Sequence, residues 1–279
     1  MTPVRPIFLT ELFPNLDARL VELLRGLSEE DWRRPTACSA WDVGDIAAHL
    51  LDGNLRRLSS GRDSGGELAS EPQILGHDDL VALVNQLNAE WITAARRLSP
   101  RVIVDLLEGT SHQVYEYFGT LDPFGDAVFA VTWAGETTSL NWFDVAREFT
   151  ERWHHQQQIR DAVGAPPLTD RLYLFPVLDT FMRGLPHSYR DVDAWDGAAV
   201  VVRVLGLSGG EWTLVAEHGN WSLYEGGVDG SAASIQLDQD DAWRLFTKGL
   251  TAQEVRSRAT VKGNSALLDP VFAMVAVVG

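Results

Sequence analysis

A glutamate and a histidine four residues apart are the first candidates for chemistry in this sequence. Glu151 and His155 stand in the segment EFTERWHHQQQIRDAVG. Residues four apart on an α-helix project from the same face, one turn from each other, so both side chains can reach one cation. His49, within WDVGDIAAHLLDG, can approach from a second helix. Two imidazoles and one carboxylate are the protein ligands of several catalytic zinc sites, and three ligands leave a fourth position for water or substrate.

The same helix also has a simpler interpretation. Its apolar stripe consists of Trp142, Ala146, Phe149 and Trp153. Its polar residues lie nearly opposite: Asp144, Glu148, Glu151, His155 and Gln158. Periodicity alone therefore predicts that the polar face is exposed to solvent. His49 is also compatible with a hydrogen-bonded histidine at the edge of a core, and His154 points about 100° away from His155. Spacing leaves both interpretations open.

Hydrophobic periodicity predicts the elements that must position these residues. The predicted helices cover residues 8–27, 43–58, 78–98 and 141–163, with a weaker helical segment after Pro100. The loop before the second helix ends in residues that can cap it, and Gly164, Pro166 and Pro167 end the fourth. Residues 59–72 read as a polar loop and residues 128–133 as a short strand or an extended connection.

The second half of the chain has a different pattern. Residues 170–190 predict one more helix. Beyond Trp195, apolar and β-branched runs separated by Gly, Ser, Asn and Asp predict a meander of about four strands. DDAWRLFTKGL then predicts a helix, TVKG the end of a strand, and NSALLDPVFAMVAVVG a closing helix. We therefore expect an α+β protein with a helical domain over residues 1–166 and a smaller α+β domain over residues 167–279.

Composition excludes several classes of partner. The chain has 279 residues and a formal net charge of −16, which disfavours binding to nucleic acid or to an anionic membrane. The one cysteine, Cys38, cannot form an internal disulfide. Prolines and acids interrupt the first residues, which excludes a signal peptide, and no stretch has the ~20 apolar residues of a membrane span. We expect a soluble cytoplasmic protein.

Four segments carry a resemblance to a known family. PTACSAWDVGDIAAHL, followed much later by EFTERWHHQQQIRDAVG, resembles the mycothiol-dependent maleylpyruvate isomerase family over about residues 5–165. SIQLDQDDAWRLFTKG and VKGNSALLDPVFAMVAVVG are similar to the C-terminal domain of that family. The resemblance implies a DinB-like four-helix bundle, followed by an α+β domain that is related to sterol-carrier folds and has an antiparallel sheet.

The resemblance also implies a ligand set. The family's metal ligands are the histidine of an AxHL motif and a Glu and a His four apart on a later helix, which fall on His49, Glu151 and His155. Relatives often carry Asp at the position of Gln158, one turn beyond His155. Glutamine can hydrogen-bond to a ligand but brings no charge, so the properties of the metal can differ here.

The implied function is a metal-dependent enzyme that uses mycothiol for isomerisation or S-transfer on a small electrophile. The metal is expected to be zinc, or nickel acquired during purification, and the protein a monomer or homodimer. Two alternatives are a carrier module with a structural metal and a metal hydrolase with Glu148 as base. Cys38 is interpreted as structural because no histidine is paired to it in sequence. Candidates to bind an anionic substrate, which the sequence does not rank, are Arg56, Arg57, Arg152, Arg160, Arg244 and Lys248.

Overall fold

The computed structural model describes residues 1–65 and 77–276. Contacts within the chain cluster into two compact units. The helical unit contains the described residues of Phe8–Val128 together with Glu151–Pro167. The sheet unit contains Met1–Ile7, Phe129–Thr150 and the chain from Leu168 onward. The expected domain boundary between residues 166 and 167 stays a prediction.

Five helices contribute to the helical unit. They are α1 (Phe13–Arg25), α2 (Val43–Arg56), α3 (His77–Ala95), α4 (Pro100–Thr120) and, from Glu151 onward, α5 (Asn141–Val163). Their apolar faces form one core that includes Leu24, Ile46, Leu51, Leu107 and Ile159. The four predicted helices are confirmed, and the segment after Pro100 is a full helix because Ser99 caps it and Pro100 fits its first turn.

The boundaries of the predicted loops need correction. Residues 59–62 belong to a turn of π-helix, Arg57–Arg62, that continues α2, whereas residues 66–72 lie outside the described part of the chain. The segment 128–133 forms no strand, and Thr132–Ala134 is a short 3-10 helix. The first helix begins at Phe13 rather than at Phe8 because Pro14 is tolerated only in a first turn.

The sheet unit contains the predicted strands. They are β2 (Ala199–Leu205), β3 (Gly210–Glu217), β4 (Asn220–Glu225), β5 (Ala233–Asp238) and β6 (Thr260–Gly263), and β1 (Thr2–Pro3) adds an edge. Its helices are α6 (Arg171–Met182), α7 (Leu185–Ser188), α8 (Gln239–Phe246), α9 (Ala252–Arg258) and α10 (Asp269–Ala273). The strand order is β1-β4-β3-β2-β5-β6. The α+β class is confirmed.

The sheet is mixed rather than antiparallel, which corrects the expectation. β2, β3 and β4 form the predicted antiparallel meander, but β5 pairs in parallel with β2. The connection after β4, residues 226–232, crosses the sheet instead of turning back in a hairpin. On the inner face, Val200, Val202 and Ile235 are fully buried, and α8 packs against β2 and β5.

The closing helix is shorter than predicted. Ser265–Leu268 is a 3-10 helix and α10 follows it, but the backbone is extended from Met274. Helix α9 and the two-residue strand β1 were not predicted from the sequence. No helix among residues 1–65 and 77–276 is long and apolar enough to cross a membrane.

Candidate metal centre

A short loop fixes the start of the helix that carries His49. Pro35 and Asp42 form an isolated antiparallel bridge, and Trp41 donates its backbone N–H to the carbonyl of Cys38 at 2.9 Å. The Asp42 side chain accepts from the backbone N–H of Asp45 at 2.9 Å, which completes a capping box at the N-terminus of α2. The predicted cap of α2 is therefore present, and the loop holds Trp41 beside the first turns of that helix.

The structure brings the three sequence-predicted ligands together. His49 comes from α2, and Glu151 and His155 come from adjacent turns of α5. One potential ligand atom from each residue lies within 4.8 Å of the others. The imidazole centroids of His49 and His155 are 4.7 Å apart. His154, which was not predicted as a ligand, is buried and stands outside this cluster.

Hydrogen bonding orients the imidazole of His155. Its Nδ1 lies 2.9 Å from Oε1 of Gln158, and its Nε2 lies 3.3 Å from a carboxylate oxygen of Glu151. When Nδ1 donates to this amide oxygen, the neutral imidazole has its lone pair on Nε2, the nitrogen on the side of Glu151. This tautomer is the one in which Nε2 can bind a metal ion.

Trp41 forms a wall of the cluster that sequence reasoning missed. Its ring centroid lies 4.9 Å from that of His49 and 6.5 Å from that of His155. From the sequence, the loop before α2 was predicted only to cap that helix. The sequence contains an indication of this contact. Trp41 directly precedes the capping residue and lies about two turns before His49 along the axis of α2.

The polar face of α5 is not exposed, contrary to the expectation from periodicity. Asp144 is 2% and Glu148 is 8% exposed, and Arg147 contacts their carboxylates at 2.9 and 3.2 Å. Other sides of the helix are buried as well, since Trp153 and Gln156 are both at most 1% exposed. Periodicity fails here because a helix that is covered on nearly all sides has no solvent face.

A buried polar network fixes α5 against its neighbours in the helical unit. Arg152 donates to both carboxylate oxygens of Asp17 on α1 at 2.8 Å and to Oδ1 of Asn54 on α2 at 2.6 Å. Asn54 in turn donates to Thr110 and Ser111 on α4. Because Arg152 follows Glu151 directly, this network helps to fix the position of Glu151 and His155 relative to His49.

Most of the basic residues considered as substrate ligands already have structural roles. Arg152 pairs with Asp17, and Arg56 with Asp52 at 2.7 Å. Arg244 donates to Asp240, Arg160 contacts Gln156 and the carbonyl of Pro166, and Arg57 is buried over the ring of Phe118. Lys248 has a left-handed backbone conformation, φ 62°. None of these observations singles out one of the six as a substrate ligand.

Cys38 stands in an environment that weakens it as a nucleophile. Burial raises the pKa of its thiol, and the negative charge of Asp45 acts in the same direction. A raised pKa lowers the fraction of thiolate, which is the reactive form, at neutral pH. The carbonyl of Cys38 meanwhile accepts from Trp41, so the residue contributes to the turn through its backbone.

The donor set fits a borderline divalent cation. Two neutral imidazoles and a carboxylate suit zinc and related transition metals. The side chains of His155 and Glu151 are 12% and 25% exposed, so a small ligand can approach them. The fold and this cluster thus define a class, namely helical-bundle proteins with a His/Glu/His group and an additional α+β unit.

Comparison with known proteins gives the family. Residues 13–160 match the family described as the mycothiol maleylpyruvate isomerase N-terminal domain, which is more than half of the chain. This protein therefore belongs to the mycothiol maleylpyruvate isomerase family.

One solved structure agrees in fold. The crystal structure of a mycothiol-dependent maleylpyruvate isomerase is 12% identical, with a TM-score of 0.50, over 85% of this chain and 86% of that chain. At this identity the likeness establishes the fold alone. A histidine-to-alanine mutant of a mycothiol-dependent maleylpyruvate isomerase is also 12% identical, with a TM-score of 0.46 and the same coverages. No curated protein matches the sequence.

Proposed function

We propose that this protein is a metal-dependent enzyme that uses mycothiol to isomerise, or to transfer sulfur to, a small electrophile. The observation that carries the proposal is the cluster of His49, Glu151 and His155 in a chain that belongs to the mycothiol maleylpyruvate isomerase family. These three residues would hold the metal. The ion would lower the pKa of the mycothiol thiol enough to favour the thiolate near neutral pH.

The reaction needs no nucleophile from the protein. The thiolate of the cosubstrate adds to one carbon of a conjugated double bond, and the π electrons move to the neighbouring carbonyl. The former double bond can then rotate, and expulsion of the same thiolate restores the alkene in the other geometry. If the adduct is protonated on carbon instead, the product is a thioether and the reaction is S-transfer. The raised pKa of the Cys38 thiol is consistent with a chain that leaves nucleophilic chemistry to the cosubstrate.

The protein's contribution is orientation and shielding. Gln158 and Glu151 contact opposite nitrogens of the His155 imidazole and so fix its orientation. Trp41 covers one side of both imidazoles, which limits access of water to that side of the cluster. A zinc ion with three protein ligands has a position left for a small ligand.

The two alternatives have less support. A hydrolase would need a free base such as Glu148, but this carboxylate is buried and pairs with Arg147 at 3.2 Å. A carrier module with a structural metal would usually close the site with four protein ligands, whereas the described part of the chain brings three together here. The partial exposure of Glu151 and His155 also argues against a closed structural metal site.

Metal content with a matched histidine control tests the site. His112 and Glu116 on α4 repeat the i,i+4 spacing at 3.4 Å, but their side chains are 69% and 63% exposed. We expect about one zinc or nickel per chain by elemental mass spectrometry. His155→Ala should lose this metal and His112→Ala should keep it. Wild-type protein that stays metal-free after chelator-free purification with zinc supplied would refute the metal centre.

A thiol-dependence assay then separates the candidate reactions. The metal-loaded protein is incubated with maleylpyruvate, with and without mycothiol, and the products are resolved by NMR. Conversion to the trans isomer only with thiol supports isomerisation, and a stable thioether supports S-transfer. Turnover without thiol and with incorporation of ¹⁸O from water would identify a hydrolase and overturn the proposal.

A further inference from the structure

The outer face of the sheet contains a polar pocket that the proposed chemistry does not use. It has a volume of about 90 Å³ and lies wholly within the sheet unit. Two apolar residues of this face line it, Val201 and Val228, and Ile235 borders it from its place between Ser234 and Gln236 on β5. Six polar residues complete the lining: Arg203, Ser231, Ser234, Gln236, Thr260 and Lys262. A single water needs about 10–15 Å³ on such a measure, so the pocket can hold a group larger than one water.

Strand register places the polar side chains side by side. Ser234 on β5 is paired with Lys262 on β6, and Gln236 is paired with Thr260. Arg203 on β2 is the parallel partner of Gln236. Because alternate residues of a strand share a face, these five side chains project from the same side of the sheet. They therefore converge on one area about three strands wide.

The crossing connection after β4 closes one side of this area. Thr213 and Glu211 on β3 stand opposite Val201 and Arg203, so they belong to the same face. Thr213 donates its hydroxyl to the carbonyl of Gly226, which holds the start of residues 226–232 on this face. Val201 is only 4% exposed although it points outward. The connection thus makes a concave site on a surface that would otherwise be flat.

The charge of the pocket is opposite to that of the protein. Its lining includes two cations and no carboxylate, in a chain with 39 acidic and 23 basic residues. Arg203 pairs with Glu211, which does not line the pocket, so Lys262 supplies the net positive charge of the lining. A lining of this sign is suited to an anion.

Most donor side chains of the pocket have no partner among the described residues. Among residues 1–65 and 77–276, the side chains of five lining residues make no hydrogen bond or ion pair: Ser231, Ser234, Gln236, Thr260 and Lys262. An ammonium, an amide and three hydroxyls can together donate several hydrogen bonds to one oxyanion. Charge-assisted bonds of this kind are stronger than those between neutral groups.

We propose that this pocket binds the oxyanion group of a small anionic ligand, a phosphate or a carboxylate. Lys262 supplies the net charge, Arg203 supplies further N–H donors beside its partner Glu211, and Ser231, Ser234, Gln236 and Thr260 supply neutral donors. A tetrahedral phosphate offers more acceptor atoms than a carboxylate, so phosphate is expected to bind more tightly. The pocket belongs to the sheet unit and the cluster of His49, Glu151 and His155 to the helical unit, and the pocket's existence does not depend on the proposed enzymatic activity.

Titration of the full-length protein, observed by amide NMR, tests the proposal. Inorganic phosphate and succinate are added in separate experiments, up to roughly 10 mM, at ionic strength held constant with chloride. We expect saturable shifts for amides of β2, β5 and β6 and of residues 226–232. Lys262→Gln should weaken the affinity roughly tenfold through loss of a charge-assisted bond. Ser234→Ala, which leaves the charge unchanged, should weaken it by a smaller factor.

The matched control is Arg101→Gln, because the Arg101 side chain is 91% exposed on α4 and far in sequence from the pocket. It removes the same charge and should bind as the wild type does. Saturation by phosphate alone, by succinate alone or by both supports the proposal and identifies the anion class. The absence of saturable shifts with both probes would overturn it, and so would equal affinities of the Lys262→Gln and Arg101→Gln proteins.

Discussion

The imidazole of His155 has a neutral hydrogen-bond partner, the amide of Gln158. Gln158 accepts from Nδ1 at 2.9 Å and leaves Nε2 directed to the cluster. We predict that Gln158→Leu lowers zinc affinity about 10- to 100-fold, the usual effect of losing a partner behind a metal ligand. Competition with a chromophoric zinc chelator measures this affinity directly.

Two further variants distinguish an effect on the orientation of His155 from an effect on the folding of the protein. Gln158→Glu keeps an acceptor and adds a negative charge, so it should bind zinc at least as tightly as the wild type. Gln86→Leu makes the same substitution on the exposed surface of α3, where Gln86 donates to Glu90 at 2.9 Å, and should leave zinc affinity unchanged. Equal affinities for Gln158→Leu and the wild type would show that Gln158 does not position His155.

Cys38 should titrate at higher pH than an ordinary cysteine. Burial raises its thiol pKa, so the neutral thiol persists to higher pH and the reactive thiolate forms late. We predict that the rate of alkylation by iodoacetamide rises with a midpoint above the ~8.5 of an unperturbed thiol. Peptide mass spectrometry at a series of pH values measures it. A midpoint below that of free cysteine would instead indicate an activated nucleophile, and loss of turnover in Cys38→Ser would support that role.

At the scale of elements, the bundle depends on one buried ion pair. The side chains of Arg152 and Asp17 are 5% and 9% exposed, and Arg152 also contacts the ring of Phe13 at 5.0 Å. Asp17→Leu leaves the guanidinium charge buried without its carboxylate. We predict a loss of about 3–5 kcal/mol in the free energy of unfolding, measured by urea denaturation.

An exposed ion pair on the same helix provides the comparison. Arg19 and Glu22 lie 3.2 Å apart, with side chains 56% and 72% exposed. Glu22→Gln should change the free energy of unfolding by less than about 1 kcal/mol, since water screens such a pair. If Asp17→Leu and Glu22→Gln lower the free energy of unfolding by the same amount, the buried network does not hold α1 and α5 together in the way that we infer.

The sequence predicts local elements better than the pairing between them. Helix α2 was predicted because its apolar spacing and its Asp42 cap are both local signals. The parallel pairing of β2 and β5 was not predicted, because the order of strands depends on where the chain crosses the sheet. The two residues of β1 carry too little pattern to be recognised as a strand, and the short helix α9 was also missed.

Prediction of the candidate site from the sequence has the same limit, because the site depends on contacts between elements that are far apart in the chain. Helical spacing placed Glu151 and His155 on one face, but it could not show which helix stands opposite them. His49 was assigned through the family resemblance, and the structure brings its ring within 4.7 Å of that of His155. Trp41 was missed as part of the site because its proximity to both imidazoles depends on tertiary packing.

Metal binding should couple to the stability of the whole molecule. An ion that binds only the folded state stabilises it by about 2.7 kcal/mol at a free concentration of 100 times the dissociation constant. For a chain of this size, that corresponds to a rise of roughly 5–10 °C in melting temperature. We therefore predict that chelation lowers the melting temperature in scanning calorimetry and that added zinc restores it. His155→Ala should lose this response and His112→Ala should keep it. Identical melting curves for the chelated and zinc-loaded wild-type protein would contradict a site that binds metal tightly in the folded state.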